Sequence, residues 1–296
     1  MKDCDICPRK CGVDRSQGKA GYCGESHTLR VARVAPHHFE EPPISGARGS
    51  GTVFFSGCSL RCVFCQNRDI SRRGGAGADM TDEELYRAIL ELQDSGVHNI
   101  NLVTPTHFVH RLVPILERLR ASNDLKIPVV YNSAGYESID SLRRLDGLID
   151  IYMPDFKYFS SELSEKYSSA PDYFSVASAA IQEMFRQVGR YGFSQSEPDI
   201  LRSGLIVRHL VLPGCRHDSI AVLEQLSSLL PKEDILLSLM SQYTPEFAFD
   251  TPYKELHRRV TSFEYSCVVK KAEQLGFEGF IQARDSSSSK FTPDFK

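Results

Sequence analysis

Phe54-Phe55-Ser56-Gly57-Cys58-Ser59-Leu60-Arg61-Cys62-Val63-Phe64-Cys65-Gln66-Asn67 sets three cysteines in one short loop. Three residues separate the first pair and two the second. Two thiolates on adjacent turns of a tight loop share a metal, and a third at this spacing caps a cuboidal iron–sulfur cluster. Clusters that only carry an electron usually take four cysteines, yet the next cysteine in the chain is Cys215. Three ligands leave one iron open, and an open position is how a metal site keeps room for a substrate. The loop therefore reads as a place for chemistry at the cluster rather than for storage of an electron.

The run Thr52-Val53-Phe54-Phe55-Ser56 delivers the chain into this loop as a buried strand. Further short apolar runs follow at Asn99–Val103, Ile127–Tyr131, Leu148–Met153, Leu205–Leu212 and Ile235–Met240. Helix-period segments alternate with them. Thr81-Asp82-Glu83-Glu84 is a capping box that opens one such helix, with Leu85, Ala88, Ile89 and Leu92 on its apolar face. The last long helix is expected over about 252–275, and Gly279-Phe280-Ile281 closes the fold. Repeated β-α units with strands apolar on both faces mean a parallel sheet, either an open doubly wound sheet or a partial barrel. In both, ligands sit at the carboxyl ends of the strands. Polar residues gather at those ends: Thr104 and Thr106, Asn132 and Ser133, Asp155 and Lys157, Arg208 and His209, Gln242 and Tyr243.

Ahead of the first strand, Cys4, Cys7, Cys11 and Cys23 lie in a stretch without apolar periodicity, which cannot fold on core burial alone. A metal would supply the missing free energy, as a second iron–sulfur cluster or as a structural zinc. Residues 1–34 form this Cys-rich extension, 35–51 a Pro/Gly-rich linker, 52–282 the repeating domain and 283–296 a flexible polar tail. Nine cysteines, seven of them in two tight clusters, suit metal ligation better than disulfides. The chain of 296 residues is 41% hydrophobic and carries a net charge of −3. That balance calls for no nucleic-acid or membrane-surface partner. No apolar run approaches the length of a membrane span, and no signal peptide is evident. A cytoplasmic location, where thiols stay reduced, is expected.

The Cys-x3-Cys-x-Phe-Cys loop after a first strand, followed by five more β-α units, resembles the radical S-adenosylmethionine (SAM) enzymes over roughly residues 50–282. Cys65-Gln66-Asn67-Arg68-Asp69, Met153-Pro154-Asp155-Phe156-Lys157 and Arg208-His209-Leu210-Val211-Leu212-Pro213-Gly214 are similar to the pyruvate formate-lyase activating enzyme group. With the N-terminal cysteines included, they are similar to its PflX-type branch. The resemblance implies a partial (β/α)6 TIM-like barrel of parallel strands with a small Cys-rich N-terminal extension. It implies that Cys58, Cys62 and Cys65 hold a [4Fe–4S] cluster whose fourth iron chelates SAM. It places Phe64 beside the adenine or the cluster, Asp155 and Lys157 on SAM or a monovalent cation, Asn132 and Ser133 near the ribose or that cation, and Arg208 on the carboxylate. The family's Gly-Gly-Glu after the second strand is absent. Val103-Thr104-Pro105-Thr106-His107 stands there, leaving Thr104 and Thr106 to offer hydroxyls to SAM.

The activity implied is reductive cleavage of SAM to a 5′-deoxyadenosyl radical. The expected substrate is a protein, as in glycyl radical activases; a small-molecule substrate is the alternative, and a non-enzymatic iron–sulfur or zinc protein a remote one. An electron donor such as flavodoxin or ferredoxin is the implied partner. A low potential calls for a dry pocket with few hydrogen bonds to sulfur. Cys215, just past the fifth strand, is near enough to the active face to approach a substrate, and an idle buried thiol is the plainer reading.

Overall fold

The computed structural model describes residues 2–281. The tail expected at 283–296 and residue 282 lie outside the described residues. Ten strands are present: β1 (Leu29–His37), β2 (Ser50–Phe55), β3 (Ala78–Met80), β4 (Ile100–Val103), β5 (Val129–Ser133), β6 (Ile151–Pro154), β7 (Gly192–Phe193), β8 (Leu201–Leu210), β9 (Leu236–Met240) and β10 (Gly279–Ile281). Seven of them, β2, β4, β5, β6, β8, β9 and β10, lie side by side in chain order and all parallel. The sheet is open, with β10 at one edge and β3 at the other. This is the expected α/β partial barrel, with the short closing run Gly279–Ile281 serving as a seventh parallel strand beside β9.

Every residue of β2, β4, β5, β6 and β9 is buried. Both faces must therefore be covered, and they are covered differently. Tyr131, Tyr152, Leu205 and Val207 face the main core shared with the helices, including Asp82–Asp94, Val109–Ala121, Tyr173–Val188 and Arg216–Leu229. The alternate residues Val130, Ile151, Met153, Ile206 and Leu236 form a second cluster that includes the fully buried Ile44. Ile44 belongs to the short helix Pro42–Ser45, and its carbonyl accepts a 2.7 Å hydrogen bond from Asn99 Nδ2. The concave face of the sheet is thus plugged by the chain's own N-terminal segment. Burying Ile44 completely stabilises the closure by about 2–3 kcal/mol.

That segment departs from the linker expected over 35–51. β1 runs across the expected boundary at 34/35, pairing antiparallel with β2 and β3. Its sequence, Leu29-Arg-Val-Ala-Arg-Val-Ala-Pro-His37, is one-third polar, and its proline, Pro36, lies beyond the three residues that β3 pairs, where one side of the strand is open. The last helix also differs, running Ser262–Leu275, with a 3-10 turn at Lys254–Leu256 ahead of it. Thr261 starts the helix with a complete Thr261/Glu264 capping box, the same device that opens Asp82–Asp94 from Thr81.

Candidate active site

Strand register brings the site together. Phe54 pairs with Val103, Val103 with Asn132, and Asn132 with Met153, so one row of residues crosses the carboxyl ends of four strands. Asp155, one residue beyond β6, bridges to Arg208 on β8. A cavity of about 220 Å³ opens at these ends. Cys58, Cys62, Phe64 and Cys65 line it from the loop after β2; Thr104, Asn132, Ser133, Asp155, Lys157 and Arg208 line it from the other strand ends.

The charged wall is a buried network. Asp155 accepts from Lys157 Nζ at 2.5 Å and from Arg208 Nε at 3.0 Å, and Arg208 also donates to Asn132 Oδ1 at 2.8 Å. The three ionic side chains are between 13% and 16% exposed. Burial works to raise the Asp155 pKa, but Arg208 and Lys157 outweigh it and hold it below the usual carboxylate range. Burial likewise works against a charged Lys157, and Asp155 reverses it, raising the ammonium pKa. Tyr173 Oη bonds the carbonyls of Ala134 and Asp155 and accepts from Lys157 N, tying the ends of β5 and β6 together. Gly135 sits in the left-handed region at φ 74°, where a Cβ would stand 2.2 Å from the Asp155 carbonyl oxygen.

The three thiols of the loop line the same cavity and are free of disulfides. Burial pushes Cys62 and Cys65 up, Cys65 to about 12, with neighbouring thiols adding to the effect. Each sulfur accepts a hydrogen bond: Cys58 from Leu60 N at 3.3 Å, Cys62 from Ser168 Oγ at 2.9 Å and Cys65 from Ser71 Oγ at 3.5 Å. One such bond to each sulfur is the few that a low potential calls for. Acceptor sulfurs in a buried pocket, where a lone thiolate charge would be costly, are the donor set that a cationic iron cluster satisfies. The residues present fit that group. Phe64 is buried beside them, edge-on to Tyr167 and Tyr243 at 6.4 and 6.0 Å between ring centres.

Thr106 does not join the cavity, a correction to its expected role. Its hydroxyl is buried and donates to Glu137 Oε1 at 2.6 Å, in a network that also takes Tyr131 Oη at 3.0 Å. The chain turns into a 3-10 helix at Thr106–Phe108, and the side chain meets the buried Glu137 rather than the cavity. His107, next to it, bonds the Ser56 carbonyl at 2.6 Å and so braces the cysteine loop instead. Of the segment that replaces Gly-Gly-Glu, Val103 and Thr104 line the cavity. Cys215 is absent from its lining, and its thiol points to the Pro213 carbonyl at 3.6 Å.

The residues that sequence reasoning missed come from before β2. His37, Phe39 and Glu40 line the cavity. Glu40 stands 3.5 Å from Arg208 and accepts from Asn101 Nδ2 at 3.1 Å, with its side chain 9% exposed. Burial pushes its pKa up to about 7 despite Arg208. No periodicity marks it, and in a Pro/Gly-rich stretch a single glutamate carries no signal.

The N-terminal cysteines are gathered as well. Cys4, Cys7 and Cys23 are buried, while Cys11 is half-buried. Burial pushes Cys7 up to about 12, and the charges of Cys23 and Cys4 add to it. The sulfurs of Cys11 and Cys23 lie 2.9 and 3.7 Å from where a Gly21 Cβ would stand. Among the described residues no three His, Cys, Asp or Glu side chains are grouped closely enough to hold a single metal ion.

Residues 52–194 match the family model of the Radical SAM superfamily. That stretch, just under half of the chain, is similar to a radical SAM domain. The chain is 28% identical over 289 residues to an uncharacterised protein of Methanocaldococcus jannaschii, spanning 94% of this chain and 76% of that one. A radical SAM methyltransferase from Sphaerobacter thermophilus superposes with a TM-score of 0.54 at 14% identity over 78% of this chain. Streptococcus suis SuiB bound to the precursor peptide SuiA superposes at 0.51 and 14% over 78%. The chain spans 65% and 48% of those two structures' lengths, and at such identities the likeness is one of fold. No helix among the described residues is long and apolar enough to cross a membrane.

Proposed function

We propose that this chain is a radical SAM enzyme that acts on a protein substrate, in the manner of an activating enzyme. Its support is one observation: three thiols and the Asn132, Asp155, Lys157 and Arg208 network line one cavity at the strand ends. Cys58, Cys62 and Cys65 would hold the [4Fe–4S] cluster, and when bound it supplies the electron that cleaves SAM to methionine and a 5′-deoxyadenosyl radical. Arg208 is placed to pair with the SAM carboxylate, its guanidinium already oriented by Asp155 and Asn132. Asp155 and Lys157 present an acceptor and a donor to SAM or a cation beside it. Asn132 and Ser133 stand near where its ribose would lie, and the Thr104 hydroxyl takes the contact left by the missing Gly-Gly-Glu. Phe64 shields the cluster from water.

The protein substrate is favoured by space. The cavity of about 220 Å³ is to be filled by the cluster and SAM themselves, and Glu40 lines it beside Arg208, so little room is left inside for a second molecule. A substrate that stays outside and presents one residue over the rim fits better than one swallowed whole. Phe39, 56% exposed and on the cavity lining, offers such a partner an apolar hold. An electron carrier of the flavodoxin or ferredoxin class would complete the system.

The test is anaerobic. Reconstituted, reduced protein is given SAM, and 5′-deoxyadenosine is measured. Extracts of cells grown in deuterated medium are then added, split into a dialysed protein fraction and a small-molecule filtrate. Deuterium in the nucleoside from the protein fraction is the expected result. Deuterium from the filtrate alone would establish the small-molecule substrate instead, and no nucleoside at all would refute the enzyme.

A further inference from the structure

We infer that Cys4, Cys7, Cys11 and Cys23 hold a second [4Fe–4S] cluster that relays electrons into the Cys58 loop. Electron entry through it rests on the radical SAM function proposed above. The inference starts from a contact between the two cysteine loops. Cys58 N donates to the Cys23 carbonyl at 3.2 Å, so a ligand of one loop is hydrogen-bonded through its backbone to a ligand of the other. A continuous path runs from the Cys23 sulfur through its carbonyl, across one hydrogen bond, to the Cys58 amide and sulfur. Gly57 makes the approach possible: a Cβ there would stand 2.7 Å from the Cys23 carbonyl oxygen and 2.5 Å from Glu25 Cγ.

Side chains lock the two loops together. Arg9, between Cys7 and Cys11, donates from Nε to the Ser59 carbonyl at 2.7 Å and from NH2 to the Ser168 carbonyl at 2.9 Å. Arg61, between Cys58 and Cys62, donates to the Tyr22 carbonyl. Both guanidiniums stack on the Tyr22 ring, at 4.1 and 4.6 Å from its centre. Arg15, fully buried, anchors the N-terminal loop to the His107 carbonyl at 2.6 Å.

The ligand sets divide the work. Four thiolates close a cluster and suit it to carrying electrons, whereas three leave an iron for substrate. Cys11 is the one partly exposed thiol of the N-terminal set, and it marks the side from which a donor can approach. A low-potential one-electron carrier, such as a flavodoxin or ferredoxin, would reduce the outer cluster from its 2+ to its 1+ state. The same electron crosses the Cys23–Cys58 contact, returning the outer cluster to 2+ and reducing the inner one to 1+, from which the SAM sulfonium takes it.

Three measurements on the full chain test this. Anaerobically reconstituted wild type should hold about eight irons and eight sulfides per chain, with the paramagnetic signals of the two reduced clusters broadened by each other. About four irons, or zinc in place of the second four, would overturn the relay without touching the radical SAM reading. Cys7→Ser/Cys23→Ser should keep about four irons, whose signal still shifts on adding SAM. In that variant reduction by reduced flavodoxin should slow about tenfold, while reduction by dithionite, a small diffusible reductant, is unchanged. Equal rates with flavodoxin, or equal slowing with both reductants, would refute electron entry by this route. If the variant does not fold, the signal broadening in wild type decides. Eight irons without 5′-deoxyadenosine from dithionite-reduced protein would leave the second cluster standing and sink the proposed function.

Discussion

Asp155→Asn is the sharpest probe of the charged wall. The substitution keeps shape and volume but removes the one negative charge between Lys157 at 2.5 Å and Arg208 at 3.0 Å. Arg208 retains Glu40 at 3.5 Å and Asn132 Oδ1 at 2.8 Å. Lys157 has no other carboxylate within salt-bridge distance among the described residues, and its ammonium is left buried and unpaired. Breaking a buried pair in this way costs about 3–5 kcal/mol. Because Arg208 keeps a partner, the lower end applies, about 3 kcal/mol, or a fall in Tm of roughly 6–12 °C for a domain of this size.

Thermal unfolding followed by circular dichroism at neutral pH, on metal-free protein under reducing conditions, measures the fall. Asp155→Asn/Lys157→Met removes the orphaned ammonium with its partner and should recover most of the loss. The pH dependence has a definite sign. Asp155 has its folded pKa below the unfolded value of about 3.9, so its contribution is fully present above that value and is lost as pH falls through the folded pKa. A single variant within 2 °C or so of wild type, or a double variant no better than the single, would refute the argument that the charges are mutually required.

Glu40 has the opposite sign. Its folded pKa of about 7 lies above the ordinary 4.5, so its favourable contribution is present at low pH and is lost as pH rises toward 7. Glu40→Gln should flatten the dependence of urea stability on pH across that window, and an unchanged slope would count against its burial under Arg208. Ser168→Ala removes the 2.9 Å hydrogen bond to the Cys62 sulfur and should make the potential of the cluster in the Cys58 loop more negative in a titration followed by electron paramagnetic resonance. Gly57→Ala forces a side chain into the left-handed region, costing about 1–3 kcal/mol before any clash, and should lower Tm and the iron content of both loops together. Cys58→Ala/Cys62→Ala/Cys65→Ala should lose about four irons and all 5′-deoxyadenosine formation, measured on anaerobically purified protein.

The parts of the fold that could be read in the chain are those where one local rule suffices. Strands buried on both faces leave continuous apolar runs, and Thr81 with Glu84 announces a helix start. The cysteine spacing needs nothing but its own loop. What escaped depended on partners distant in sequence. β1 owes its conformation to β2 and β3 rather than to a sequence in which arginines and a proline interrupt the apolar residues. Glu40 is buried only because Arg208 and Asn101 reach it from other strands. Thr106 looked equivalent to Thr104 on spacing, yet Glu137, thirty-one residues on, claims its hydroxyl. The start of the last helix at Thr261 was marked by its capping box, but the preceding 3-10 turn at Lys254–Leu256 carries helix-like spacing into the same stretch.

These missed residues share one origin, which bears on how the site works. An open parallel sheet leaves its concave face uncovered, and an uncovered apolar face must find something to bury it. Here the segment between β1 and β2 does so, with Ile44 among the strand residues and Glu40 above it against Arg208. Covering the face from within the same chain brings Glu40 onto the cavity lining beside Arg208. It also links the cavity floor to β1, whose other end leads back to the N-terminal cysteines. The N-terminal cysteines and the Glu40 side of the cavity therefore belong to one stretch of chain, residues 4–49, which meets the Cys58 loop through the Cys23 carbonyl. Phe39 stands exposed on the cavity lining, so that same stretch bears both on a substrate's access and on the shelter of the site from water.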